Sequence, residues 1–184
     1  MPAAPARRRG APQGADQGVR DNPTMGTKTE WSLRSAGPAD VETIAELKAV
    51  VMRADLERLG RYDDHRVRQR LRDGFSPLHT SVIETGDGAF AGSLTLRPAE
   101  DGRWLEHFYL APHLHGRGLG TAILRSVLER TDAEGVPVRL IVLQGSAAQR
   151  LYARHGFAVE AEDPIDVVMV RRPGAAAPAV PAGV

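Results

Sequence analysis

With 184 residues, 42% of them hydrophobic and 26% charged, the chain can bury one core, and it has no apolar run long enough to span a bilayer. Lys and Arg number 24 against 23 Asp and Glu, a net charge of +1, so no overall field draws it to nucleic acid or an anionic membrane. The absence of cysteine removes disulfides, thiolate nucleophiles and thiolate metal sites, and is the usage expected in a reducing cytoplasm.

Residues 1–28 are rich in Ala, Pro, Gly and Arg without apolar periodicity, and are expected to form a disordered tail. Arg7, Arg8 and Arg9 are followed by no apolar segment of the kind an export signal needs. Met25, close to the first ordered-looking residues, is a candidate for the true start. A single domain is expected over 29–172, and a second low-complexity tail over 173–184.

Within the domain, 29–36 has the alternation of a first strand. Asp40 is placed to cap a helix whose residues Val41, Ile44, Leu47 and Val51 share one face, and a short, strongly charged helix follows over 64–75. Three strands, 79–84, 89–97 and 103–110, are joined by segments containing Asp-Gly and form an antiparallel meander. A helix carrying Ile123, Leu124, Val127 and Leu128 inward is stopped by Gly135 and Pro137. The run 138–143 is almost wholly apolar, as in a central strand buried on both faces. Ser146 and Gln149 have the spacing of a capping box at the head of a helix that Gly156 ends, and two strands close the chain. The order is β-α-α-β-β-β-α-β-α-β-β: an α/β domain with a mixed, mostly antiparallel sheet flanked by helices.

Between the meander and its helix stands HGRGLGT, residues 115–121. Glycines free the backbone to turn and to present N–H groups, and the helix N-terminus adds unpaired N–H groups and the positive end of its dipole. Such a place suits phosphate, with Arg117 and a protonated His115 adding charge; a bare tight connection would use the same glycines. A Walker A loop is excluded, because no lysine precedes the hydroxyl residue, and the alternating glycines do not fit the dinucleotide fingerprint.

YLAPHLHGRGLGTAIL (109–124) resembles the acyl-CoA motif of the GNAT superfamily of acetyltransferases, where Gln or Arg, two residues and Gly-x-Gly wrap the pyrophosphate of coenzyme A. SAAQRLYARHGF (146–157) is similar to that family's second motif, and the element order is that of the GNAT fold. The resemblance implies acetyl-CoA as co-substrate, no metal, and cofactor contacts from Leu110, His115, Gly116, Arg117, Gly118, Leu119, Gly120, Thr121 and Ser146. His115 departs from the usual Gln or Arg, and Gly145 stands where many members have an asparagine.

Acetyl transfer to an amine needs a base for the ammonium proton and an acid for the departing thiolate. By the resemblance, Leu110 supplies the N–H that stabilises the oxyanion. Tyr152 holds the position of the family's general acid; a phenol of pKa ~10 can protonate a thiolate whose acid is near ~8.5. Its helical stripe, Ala148, Leu151, Tyr152 and His155, equally suits a core aromatic. Alternation puts Trp104, Glu106, Phe108 and Leu110 on one strand face, where Glu106 is either a salt-bridged carboxylate or, as the likeness of LEHFYLAP to diamine acetyltransferases implies, the base. His107 then faces away, since neighbouring strand residues share a pocket only at a bulge.

The resemblance places an acceptor rim at 64–75 and in the loop EDPID. There Asp63, Asp64, Asp163 and Asp166 offer negative charge and Arg66, Arg68, Arg70 and Arg72 positive charge, a pattern that a solvated surface also explains. The function expected is cytoplasmic transfer of acetyl from acetyl-CoA to a primary amine of a small molecule, directly within a ternary complex. No nucleic-acid or membrane partner is expected, and a homodimer is one arrangement the family offers. The alternatives are a silent acyl-CoA-binding module and a protein or peptide N-acetyltransferase.

Overall fold

The computed structural model describes residues 30–175; the N-terminal tail with Met25, and the C-terminal tail from 176 on, lie outside the described residues. The elements are β1 (Trp31–Ser35), α1 (Val41–Arg58), α2 (Asp64–Gly74), β2 (Thr80–Thr85), β3 (Phe90–Ala99), β4 (Gly102–Leu110), α3 (Leu119–Ala133), β5 (Val138–Leu143), α4 (Ala147–Arg154), β6 (Ala158–Glu162) and β7 (Asp166–Arg171), with short 3-10 turns before α1 and α3. Their order is the expected one. The sheet has seven strands in the order β1-β2-β3-β4-β5-β7-β6, antiparallel except where β4 meets β5.

Helices cover both faces because the strands present apolar side chains on both. On one face Ile44 and Ala45 of α1 and Leu71 of α2 close over Val82. On the other, Ile123, Leu124, Val127 and Leu128 of α3 pack with Ile83, Leu105 and Leu140. The helices α1 and α2 are also tied by Arg68 to Glu46 (2.6 and 2.9 Å) and Arg72 to Glu42 (2.9 and 2.8 Å).

Three details differ from the sequence expectations. Asp40 has helical backbone angles and does not cap α1; its carboxylate closes the preceding turn by accepting the Gly37 N–H at 2.7 Å. Arg34 binds the same carboxylate through both oxygens at 2.8 and 2.9 Å, and these bonds, Arg34's first, hold its pKa down to about 2.

The strand β5 is not buried on both faces. Val138, Leu140 and Val142 are in the core, but Ile141 is 55% exposed. The seam with β4 is also short: β4 pairs with β5 only at Arg103↔Val138 and Trp104↔Arg139, and beyond these rungs the two strands part.

The alternation along β4 breaks. Ser93 pairs with Tyr109 and Thr95 with Glu106, so Leu94 stands opposite both His107 and Phe108, a β-bulge. His107 takes φ 49, the only positive value at a non-glycine among the described residues. Past the bulge the faces exchange: Tyr109 shares the α1 face with Glu106, whereas Leu110 turns to α3, beside Gly120. Glu106 therefore does not share a face with Phe108 and Leu110.

Candidate active site

The glycine turn is built from the end of β4. Ala111 N–H bonds Ala91 across the sheet at 2.8 Å, while His115 Nε2 donates to the Leu110 carbonyl at 2.8 Å on the side from which β5 has parted. The N–H and C=O of one strand residue point the same way, so the Leu110 N–H also faces that gap. His115 thus pins the turn.

Gly116 and Gly118 have φ 73 and 78, the left-handed region that disfavours side chains, and a Cβ at either would meet no atom within 4 Å. The bare surface is open to a ligand. In α3 the first intrahelical bond is Ala122 N–H to Gly118, at 3.0 Å, which leaves the N–H groups of Leu119, Gly120 and Thr121 without helical acceptors. No acidic residue occupies this first turn. The side chain of Leu119 is only 3% exposed, so this residue offers backbone alone. Arg117 does not join His115: it lines a neighbouring 480 Å³ depression with Trp31, Arg125 and Glu129.

The parting of β4 and β5 opens a cavity of 720 Å³, reaching from His115, Gly116 and Gly118 past Leu110 and Tyr152 to Glu106, His107, Asp55 and Asp166. Tyr152 is a core aromatic that also borders the cavity. It is 6% exposed and packs edge-on against Phe157, with ring centroids 5.4 Å apart, yet it lines the cavity. Burial pushes its pKa up, so the phenol stays protonated.

Ser146 caps α4 by accepting the Gln149 N–H at 3.2 Å, as expected, but Gln149 Oε1 accepts from Gly145 at 2.9 Å, while the Ser146 N–H goes to Leu143. Gly145 has φ 72, which asparagine also tolerates. Arg58 reaches this turn from the end of α1 and donates to the Gln144 carbonyl at 2.6 Å.

At the far end, Glu106 pairs with Arg97 at 3.0 and 3.2 Å, its side chain 34% exposed. The bulge brings His107 to the same wall, correcting the expectation that it faces away. Its Nδ1 lies 3.4 Å from the Tyr109 hydroxyl, which donates to Met52 Sδ at 3.6 Å. Burial, then the charge of Lys48, push His107 down to about 4 against the pull of Glu106, so the ring is neutral near pH 7. Burial raises Tyr109. Gly92, inside β3 and paired with Leu110 just past this bulge, was the available sequence signal for this pair.

The charged rim sorts itself. Asp63 caps α2, Asp64 pairs with Arg68, and Asp163 accepts the N–H groups of Ile165 and Asp166 at 2.7 Å each. Arg68 and Arg72 are spent on α1. Asp166 remains on the cavity wall, its pKa raised by burial and by Asp163 and lowered by Arg70. Among the described residues no cluster of three or more His, Cys, Asp or Glu could hold a metal ion, and no helix is long and apolar enough to cross a membrane.

Residues 44–157 match the family model described as the acetyltransferase (GNAT) family. The chain belongs to this family. Solved structures agree in fold with this acetyltransferase. The PaiA N-acetyltransferase of Thermoplasma acidophilum, solved with coenzyme A, is 19% identical with a TM-score of 0.62, covering 78% of this chain and 99% of that one. A spermidine N-acetyltransferase chimera of Vibrio cholerae SpeG and hSSAT is 14% identical with a TM-score of 0.58, covering 79% and 96%. The N-acetylglutamate synthase of Neisseria gonorrhoeae, complexed with coenzyme A and N-acetyl-glutamate, is 20% identical with a TM-score of 0.55, covering 78% of this chain but 35% of that one. No curated protein matches the chain. As a GNAT acetyltransferase it takes acetyl-CoA as co-substrate, and the open glycine turn with its unpaired N–H groups fits a pyrophosphate.

Proposed function

We propose that this enzyme moves the acetyl group of acetyl-CoA directly onto the primary amine of a small molecule. The observation that carries the reading is the continuity of the cavity, which joins the turn at Gly116 and Gly118 to the wall of Glu106 and His107. A donor held at the turn and an amine held at the wall can meet there without a covalent enzyme intermediate.

In this reading the N–H groups from Gly116 to Thr121, with the head of α4 at Ser146, hold the cofactor. The Leu110 N–H polarises the thioester carbonyl. Glu106, oriented by Arg97, takes the proton of the acceptor ammonium, and the neutral His107 leaves that ammonium unopposed. As the C–N bond forms and the C–S bond breaks, the nitrogen sheds its second proton to solvent, and Tyr152 gives its proton to the departing sulfur and recovers one from solvent.

The test is release of CoA thiol from acetyl-CoA over a panel of small amines, amino acids and peptides, for wild type and Tyr152→Phe. Turnover of small amines, reduced at least about tenfold in the variant, is the expected result. Binding of acetyl-CoA without turnover on any acceptor overturns the enzyme reading in favour of a binding module, and turnover of peptides alone overturns the acceptor class.

A further inference from the structure

A second hollow adjoins the large cavity across the glycine turn. This depression of 480 Å³ shares Gly118 and Thr121 with the cavity wall and runs along the outer side of α3, beside Trp31. Gly118, Ala122, Arg125 and Glu129 recur in it at helical spacing, a stripe turned away from the buried Ile123, Leu124 and Val127. Arg117 and Arg125 are exposed at its border. Among the described residues neither makes an ion pair or a hydrogen bond, whereas Arg130 further along α3 is held by Glu134 at 3.1 Å. Trp31 is half-buried: it packs against the core and also borders the depression.

A ligand held by its pyrophosphate at Gly118 and Thr121 has a hollow on either side, the cavity toward Tyr152 and Glu106 and the depression toward Trp31. The thioester arm of acetyl-CoA belongs in the first, so the other end of the molecule, a ribose 3′-phosphate and an adenine, meets the second. We propose that the depression seats this 3′-phosphoadenosine, with Arg117 and Arg125 on the 3′-phosphate and Trp31 against the adenine. The proposal rests on the reading of the glycine turn as the pyrophosphate site. Two guanidiniums without counterions match a phosphate monoester, which takes paired N–H donors, and an aromatic side chain offers a base a surface to stack on. Glu129, one turn beyond Arg125, repels a phosphate and accepts from an amino group, so the base lies at its end and the phosphate nearer the turn. That is also the order of these groups along CoA.

Calorimetric titration with CoA and with dephospho-CoA, which lacks only the 3′-phosphate, reads the site without turnover. Wild type is expected to bind CoA at least about tenfold more tightly, and the double variant Arg117→Ala/Arg125→Ala to bring that ratio toward one. Equal affinity for the two ligands in wild type, or a ratio kept in the double variant, overturns the proposal. Both arginines are exposed and unpaired among the described residues, so their loss should leave the Tm unchanged and misfolding hides neither result. In a Trp104→Phe background Trp31 is the sole tryptophan, and CoA is expected to quench its emission while pantetheine 4′-phosphate, which has no nucleoside, does not. Emission unmoved by saturating CoA overturns the seating of the adenine. Gly116→Val, in the part of the turn outside the depression, tests the reading beneath. Parallel weakening of both ligands supports it; if neither is weakened, the pyrophosphate reading fails, and the affinity ratio still decides for or against the depression.

Discussion

Glu106 and Tyr109 stand on one face of β4 although an odd number of steps separates them, because Leu94 opposes both residues that lie between. This exchange of faces puts Glu106, His107 and Tyr109 on a common wall and turns Leu110 toward the glycine turn and α3.

Gly92 pairs with Leu110 just past the bulge. A Cβ there would overlap the Tyr109 carbonyl oxygen and crowd Leu110. Gly92→Val should therefore cost about 2 kcal/mol or more, as overpacking against backbone does, and should release His107 from its neutral setting. Chemical denaturation reads the first effect, and the NMR titration of the His107 ring the second.

The buried imidazole also sets an acid limb. With a native pKa of about 4 against 6.5 when unfolded, the unfolded chain binds more protons between these values, so stability falls as pH drops from 6.5 to 4. Full expression of the shift is worth up to about 3 kcal/mol, with Lys48 and Glu106 as its charged neighbours. His107→Gln should flatten this window. It should leave the loss below pH 3.8 that comes from Asp40, whose native pKa of about 2 makes it stabilising only while ionised. Thermal melts across pH 3 to 8 separate the two.

The element order was legible because each boundary is marked by a residue with one physical use: Gly135 and Pro137 after α3, Ser146 before α4, the Asp-Gly turns around β3. The glycine turn was legible for a related reason, since a site made of backbone shows in sequence as missing side chains. The bulge was not, because apolar alternation assumes one residue per rung and Gly92 alone signals otherwise. Nor could the sequence sort Arg68 and Arg72 from Arg70, because the glutamates that claim the first two lie 22 and 30 residues earlier on another helix. Lys48 is a charged residue on α1, and only the structure shows that it is covered.

Arg58 links the end of α1 to the turn before α4 through the Gln144 carbonyl. Arg58→Ala should leave global stability within about 1 kcal/mol, as expected for an exposed bond. It should speed amide exchange at Gly145 and Ser146 and raise the KM for acetyl-CoA, which steady-state kinetics and hydrogen exchange would register together.

Arg171 of β7 is 8% exposed and held by both oxygens of Asp132 in α3, at 2.6 and 2.9 Å. Asp132→Ala would strand the guanidinium and should cost about 3 kcal/mol, whereas an apolar pair at both positions should recover most of that loss. Urea denaturation of the single and double variants checks the difference.

The two rungs between β4 and β5 make the sheet a pair of antiparallel leaves, β1-β2-β3-β4 and β5-β7-β6, joined along a short spine. A molecule seated where the leaves part touches both, as a wedge that also acts as glue. Its hold on the protein is then bound to the resistance of the leaves to separating. Protection gained on filling the gap should spread to strands such as β6 and β2 that touch no part of it, and turnover should be felt as a rhythmic loosening of the whole sheet.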